Sequence, residues 1–596
     1  SVIGTTSGGL TKVGTGTWTI SGNNTYTGAT LISAGTLKLG AAGSGSNTPL
    51  GTTSSGTTVA SGATLDLNGY SLVTAEALNL SGIGSGSVGA LTNSGAAATY
   101  SGLITLGAAA TINSGSGGIT ISNTGTITGD TYTLTLDGTA SASSIASVIG
   151  TTSGGLTKVG TGTWAISGVN TYTGDTTINA STGTLQIGSA GSLGSGSYAG
   201  AISIGTGSTF KYSSSAAQTL SGVISGAGAL TKDTDASSVL TLTNAGNSYS
   251  GPITVSAGTL QIGGAGKLGS GTYSGLISIG TGAIFEYSSS ATQTLSGTIS
   301  GSTGAGGALV KDISSSGVLT LGGNNTYSGG TTVSAGTLTA GYNTTGSVTS
   351  GPFGTNTVTV TSGGALDLNG KTIANAFSLA GAGVSGTTGA LTNSGAAATY
   401  SGLITLGAAA TINSGSGGIT ISNTGTITGD TYTLTLDGTA SASSIASVIG
   451  TTSGGLTKVG TGTWTISGNN TYTGGTTIKA GTVQVITSNA ALGTGTVTLG
   501  DTSGSNAASL LVGTAGLTIA NALVLETNVN HPTLTIGTTG ILLDNVVFIG
   551  GITGTNNFTI VNTVGTGKSL TFSTATINNA GTVTNTGSGA GTTTIT

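Results

Sequence analysis

The chain runs to 596 residues, and only 4% of them are charged, against roughly a quarter in ordinary soluble domains. All 11 basic residues are Lys against 15 acidic ones, a net charge of −4; so dilute a field, with no basic patch, excludes phosphate-backbone recognition and with it nucleic acid as a partner. Cysteine is absent, which excludes disulfides and thiolate metal sites, and no window approaches the ~18 uncharged apolar residues of a membrane helix.

Glycine supplies 114 residues, far above its usual share of about 7%. A flexible linker is the first reading of such a composition. Two features oppose it. Val, Ile and Leu recur at every second position in short runs, and disordered chains combine weak hydrophobicity with high charge, which is lacking here. The chain is predicted to fold, on backbone ladders and stacked apolar side chains.

Taken in order, Ser1–Gly28 recurs unchanged as Ser447–Gly474. The sequence therefore opens at a repeat boundary and reads as an excerpt of something longer. Trp18–Ile20, Thr36–Leu39 and Thr64–Leu67 follow as short alternating runs between Gly, Asn, Ser and Thr clusters, which predicts strands with one buried face. Ser71–Leu80 looks helical alone. Its counterparts Thr372–Leu379 and Thr518–Leu525 predict a strand–turn–strand element instead. Gly89–Trp164 is identical to Gly389–Trp464, 300 positions on, and within it Thr133 and Thr135 are placed on a solvent-facing row. Leu193–Ser225 and Leu268–Ser300 form a second duplication, each with an aromatic pair around one charge: Phe210–Lys211–Tyr212 and Phe285–Glu286–Tyr287. The reversed charge predicts a solvent-facing position between two inward rings. Thr357–Thr361 and Leu517–Ile519 continue the strand pattern.

Like units stack best on like units, so repetition at these scales predicts a β-solenoid, elongated because each unit touches only its neighbours. With coils of about 20–25 residues at a ladder spacing of about 4.8 Å, about 25–30 coils are expected. Threonine rows are expected outside, and Asn side chains stacked at corners. The copies mark phases 1–146, 147–446 (one 300-residue super-repeat) and 447–596 of one continuous solenoid.

Five units share one plan: Gly9–Gly40, Gly155–Gly188, Ala229–Gly263, Ala308–Gly341 and Gly455–Ile486. Each runs from Leu-x-Lys through an apolar strand and an Asn-rich turn to Tyr-x-Gly, then to a Gly-Thr-Leu or Gly-Thr-Val strand. Lys12, Lys158, Lys232, Lys311 and Lys458 open them, and Tyr26, Tyr172, Tyr249, Tyr327 and Tyr472 mark the turn. This plan resembles the autotransporter-associated β-strand repeat of passenger regions in bacterial autotransporters. The resemblance implies a right-handed parallel β-helix exposed at or beyond the surface of a bacterium with an outer membrane.

Each recurring residue has a competing functional reading. Trp18, Trp164 and Trp464 share a slot filled elsewhere by Leu240 and Leu319. Alternation with Ile20, Ile166 and Ile466 places it in the core rather than against a sugar. The repeated Lys is expected to be solvated near a coil corner, where it discourages lateral strand pairing. The repeated Tyr is expected to pack over the following Gly turn; contact with glycans is the lesser reading. Asp130 with Asp137, and Asp430 with Asp437, sit beside Gly at turns, where Asp is favoured without any metal. Asp233 and Asp235 lack the Gly and distal Glu of a calcium loop. Gly565–Ser569 imitates a phosphate loop with the wrong spacing and no helix. His531 stands without a nucleophile or paired carboxylate for catalysis.

The sequence thus points to a structural extracellular β-solenoid that is not an enzyme and carries no cofactor or metal, a segment of a giant repetitive surface protein or fibre. Its expected partner is itself, end to end or laterally, or neighbouring repeats of a longer chain. The alternative is an adhesin that binds glycans or a host surface through Tyr and Asn/Thr rows.

Overall fold

The computed structural model describes every residue except 180–181, 235–236, 302–305, 314–316, 345–347, 387, 529 and 531. His531 and Asp235 therefore lie outside the described residues. Short parallel strands stack as a β-solenoid of about 24 turns. The turns are fewer than the coil length assumed from sequence would give, because many coils are longer. Leu10 pairs with Thr30 and Thr30 with Thr57, so one coil takes 20 residues and the next 27.

The chain forms two units, which are described separately: Ser1–Gln293 with Ser300–Gly307, and Thr294–Ile299 with Ala308–Thr596. In the first, one ladder climbs through Leu10–Lys12, Thr30–Ile32, Thr57–Val59 and Leu78–Gly82. It continues through Ile104–Asn113, Leu134–Asp137, Leu156–Lys158, Thr176–Ile178 and Ile202–Ile204. A second face stacks Ala98–Tyr100, Ile119–Ile121, Ser143–Ile145, Thr163–Ile166, Thr184–Ser189 and Thr209–Ser214.

In the second unit, Ile404–Asn413, Leu434–Asp437, Leu456–Lys458, Thr476–Ile478, Val497–Leu499 and Leu523–Leu525 repeat the first ladder. Ala398–Tyr400, Ile419–Ile421, Ser443–Ile445, Thr463–Ile466, Gly481–Val485 and Ala508–Val512 repeat the second. Thr518–Ile519, Val546–Phe548, Ser569–Phe572 and Thr592–Ile595 form a further face.

The two-residue period of a strand sorts the side chains. Leu134, Leu156 and Ile202 lie buried in one inward row, while Thr111, Thr135, Thr157 and Thr177 pair outside it. Thr411, Thr435, Thr457, Thr477 and Thr498 form the matching outer row of the second unit. Phe210 and Tyr212 are buried as the alternation requires, and Lys211 between them pairs with Asp233 at 2.6 Å. Leu78–Gly82 is a strand following a turn, and the counterparts Thr372–Ile373 with Phe377–Gly381, and Thr518–Ile519 with Leu523–Leu525, are strand–turn–strand.

Corners press backbone on backbone, which only glycine permits. A Cβ on Gly474 would lie 2.5 Å from the Ser453 carbonyl oxygen and 2.6 Å from that of Gly454 in the preceding coil. The same closeness holds at Gly28, Gly174 and Gly251. These are the glycines of Tyr-x-Gly, so the motif marks where successive coils touch. Gly474→Ala should destabilise the second unit by about 1–3 kcal/mol, the usual range for overpacking, with chemical denaturation as the readout.

Candidate functional site: the repeated corner

The five repeat units build one corner, and the side chain at its centre is an asparagine. Asn24, Asn170, Asn247, Asn325 and Asn470, each two residues before the repeated Tyr, are buried. Each Oδ1 accepts a backbone N–H from the preceding coil: Ile3 at 2.8 Å, Ile149 at 2.9 Å, Ile224 at 2.7 Å, Ile299 at 2.7 Å and Ile449 at 2.7 Å. Each Nδ2 donates to a carbonyl of the following coil: Pro49 at 2.8 Å, Ser192 at 3.0 Å, Lys267 at 3.0 Å, Pro352 at 2.7 Å and Ala491 at 2.5 Å. One amide therefore ties three successive coils. The bend leaves some N–H and C=O groups without a backbone partner in the neighbouring coil, and burying them unpaired is costly. An amide fits because it alone offers an acceptor and a donor on one short planar group. The corner Asn residues do not stack on one another, as the sequence suggested; they bridge backbone.

The repeated Tyr lies beside this bridge. Tyr26, Tyr172, Tyr249, Tyr327 and Tyr472 are at most 1% exposed. Four hydroxyls meet a threonine four residues on: Thr30 and Thr331 at 2.6 Å, Thr176 at 2.9 Å and Thr476 at 2.6 Å. Thr30, Thr331 and Thr476 pass the contact to the next coil, donating to Leu50, Phe353 and Leu492 carbonyls at 3.0–3.1 Å. Where Ile253 replaces the threonine, Tyr249 turns to the Gly228 and Pro252 carbonyls at 2.8 and 2.7 Å. The ring rests on a glycine of the next coil: a Cβ on Gly51 would lie 2.6 Å from Tyr26, and one on Gly493 2.7 Å from Tyr472. In two units a tyrosine takes that place, with Tyr198 edge-on to Tyr172 and Tyr273 stacked on Tyr249. Burial pushes the Tyr26 and Tyr198 hydroxyls up to about 12. A row of these rings has no surface to offer a glycan, which removes that basis for an adhesin.

The repeated Lys corrects the sequence reading. Lys12 is 5% exposed, and Lys158, Lys232, Lys311 and Lys458 at most 1%. The stem sits in the inward row, as Lys158 between Leu136 and Ile178 shows. The ammonium reaches the coil's other bend, between the two strands that precede the Asn corner, and donates to carbonyls there: Val13, Gly14 and Ala34 from Lys12, Val159 and Gly160 from Lys158. Lys232 donates to Thr234 and Ala257, Lys311 to Ile313 and Ala335, and Lys458 to Gly460 and Ala480. Ala34, Ala257, Ala335 and Ala480 precede the next coil's strand, so these lysines also tie coils. Burial holds Lys158, Lys311 and Lys458 down to about 8, against the field of Asp137, Asp312 and Asp437 respectively. A lysine here stabilises through carbonyl pairing what its desolvation opposes.

Trp164 and Trp464 are fully buried and donate Nε1–H to the Asp137 and Asp437 carbonyls at 2.8 and 3.0 Å. Leu240 and Leu319 fill the same slot, each paired with a leucine of the next coil. Trp18 is 41% exposed, because its strand Thr17–Ile20 has a neighbour on one side only. The remaining candidates are dispersed. Asp130 and Asp430 are exposed turn residues, Asp137 accepts the Gly138 N–H, and Lys568 pairs with Asp544 at 3.3 Å. Among the described residues no three His, Cys, Asp or Glu side chains gather as metal ligands do.

A related corner carries a buried acid. Asn375 and Asn521 donate to Gly354 and Asn356, and to Gly493 and Gly495, respectively. Glu76 holds the equivalent place, 4% exposed, and accepts from Thr57, which replaces the Val358 and Val497 of the other two.

A β-solenoid with this motif set at intervals along its coils is consistent with an autotransporter passenger. The motif itself matches a family model, the passenger-associated-transport-repeat, over residues 10–39, 156–187, 237–262, 314–340 and 456–485. Lys232 and Lys311 fall outside the matched spans yet occupy the same inward position as the other three. Neither a curated protein nor a solved structure matches the chain.

Burial raises the Glu76 carboxyl from 4.5 to about 8. Across that interval the folded chain keeps a proton that the unfolded chain has released, so the contribution of this group to stability falls as pH rises from about 4.5 to about 8 and is level on either side. Glu76→Gln should flatten that part of a pH–stability profile; an unchanged slope would place the titration elsewhere.

Proposed function

We propose that this chain is a structural segment of a surface passenger, whose work is extension, resilience and presentation rather than chemistry. The observation that carries the reading is the fate of the recurring polar residues. The repeated Asn, Tyr and Lys, together with the core tryptophans Trp164 and Trp464, are engaged between or within coils. What remains outside includes rows of Thr and Ser with scarce charge, as along Thr135, Thr157, Thr177 and Ser203, beside scattered apolar residues such as Val73 and Ile541.

Such a face offers hydroxyls and little charge. It is suited to lateral packing against a second copy, because uncharged hydroxyl rows neither repel one another nor demand a counter-charge. The passenger repeat supports an extracellular location, and nearest-neighbour stacking supports lengthening by duplication, since an added copy disturbs only the coils it touches. Partners, on this reading, are further copies of the same repeats. The adhesin alternative now rests on the outer Asn and Thr rows alone.

Electron microscopy of native material sheared from producing cells, averaged along any filament, tests the proposal. A filament whose axial period corresponds to one 300-residue copy is the expected result. Isolated particles with no filaments, together with saturable binding of one glycan, would overturn it in favour of adhesion.

A further inference from the structure

The sequence contains Asn-Gly at two places, Asn68–Gly69 and Asn369–Gly370, both within Leu-Asp-Leu-Asn-Gly. This dipeptide is the most easily deamidated in a protein chain. The deprotonated Gly nitrogen attacks the Asn Cγ, closing a succinimide and expelling ammonia. Water then opens the ring at either carbonyl, leaving Asp or isoaspartate. Isoaspartate routes the main chain through Cβ and lengthens it by one atom, which a coil in register cannot absorb.

The backbone at both turns favours the dipeptide nonetheless. Asn68 and Gly69 have φ of 50° and 81°, and Asn369 and Gly370 have φ of 48° and 70°. Consecutive left-handed residues are tolerated at low strain chiefly by Asn followed by Gly. The turn closes with Tyr70 N–H on the Leu67 carbonyl at 2.8 Å, and Lys371 N–H on that of Leu368 at 2.9 Å.

Both reacting groups are held. The Gly69 N–H donates to Asn93 Oδ1 at 2.7 Å, and the Gly370 N–H to Asn393 Oδ1 at 2.8 Å. The amide under attack is anchored on the preceding coil, with Asn68 Nδ2 on the Leu39 carbonyl at 2.9 Å and Asn369 Nδ2 on that of Ala340 at 3.1 Å. Asn93 and Asn393 are buried and fixed in turn, each donating to a Gly118 or Gly418 carbonyl at 2.8 Å. They tie three coils like the asparagines of the repeat.

We propose that Asn68 and Asn369 are latent deamidation sites, and that the side-chain carbonyls of Asn93 and Asn393 guard them by occupying the Gly N–H that must act as nucleophile. The guard and the coil staple are one bond. The modification proceeds where a coil has opened, and once made it adds a carboxylate beside buried Asp66 or Asp367, whose Oδ1 already accepts the Asn68 or Asn369 N–H.

The test is peptide mapping of the full chain aged at mildly alkaline pH, with an isoaspartate-specific label, against the same chain held in denaturant. Native Asn68 and Asn369 should convert at least about tenfold more slowly than the denatured chain, as local opening would then limit the reaction. In Asn93→Ala, Asn68 should convert at near the denatured rate while Asn369 in the same molecule stays slow. Asn93→Asp loses the bond to Gly118 but keeps an acceptor for the Gly69 N–H, and Asn68 should remain slow. If Asn93→Ala loses the fold, Asn369 speeds up as well, and the Asp variant with the native-to-denatured comparison decides. Equal rates in native and denatured chains, or equal acceleration in the Ala and Asp variants, would overturn the proposal.

Discussion

A parallel coil satisfies its strands easily and its corners with difficulty. Strand N–H and C=O groups find the coils on either side, and many corner groups do too, as Thr471 N–H does on the Ile449 carbonyl at 3.1 Å, but each bend leaves some without a backbone partner. An amide side chain aimed along the stack, accepting from the coil before and donating to the coil after, resolves this at each repeat. The rest of the corner is arranged around that bridge. The Tyr ring covers one side of it and glycines of adjacent coils close in where a Cβ would collide; at the coil's other bend, between the two ladders, a lysine gathers the carbonyls.

This division explains how coils of unequal length stack. The ladder asks only that three or four strand residues stay in register, as Thr30 does with Thr57 across a long coil and Leu10 with Thr30 across a short one. Extra residues are absorbed in corners. The asparagine bridges then fix those corners at intervals, and the next coil is free to offer either Gly51 or Tyr198 to the ring stacked on it. Sequence drift between the units is accommodated in the same way: Ile253 replaces a threonine, and Tyr249 bonds backbone instead.

The alternation of apolar residues was enough to read strands, a solenoid and an inward slot for Trp164, Trp464, Leu240 and Leu319. It was also enough to read the lysines, since Leu156 and Lys158 are two apart and must share a face. Charge argued for solvent, and a long stem that buries itself while its ammonium reaches carbonyls overrides that argument. The asparagines were missed for a different reason. Asn is ordinary at turns, and nothing in composition separates a solvated turn amide from one that links three coils; the signal was its fixed place two residues before every repeated Tyr. Glu76 was overlooked although aligning Ser71–Leu80 with Thr372–Leu379 and Thr518–Leu525 already sets it opposite Asn375 and Asn521; what that alignment does not show is that the position is buried.

Amide hydrogen exchange on Asn470→Ala tests the central claim most directly. The Ile449 N–H, which donates to the Asn470 side chain, should be as protected as a strand amide in the parent chain. In the variant it should exchange at least about tenfold faster, in keeping with the roughly 1–3 kcal/mol that an unsatisfied buried group costs. The Ile149 N–H, held by Asn170, should be unaffected in the same molecule. Unchanged exchange at Ile449 would mean that the coils hold together without the bridge, and would contradict the account.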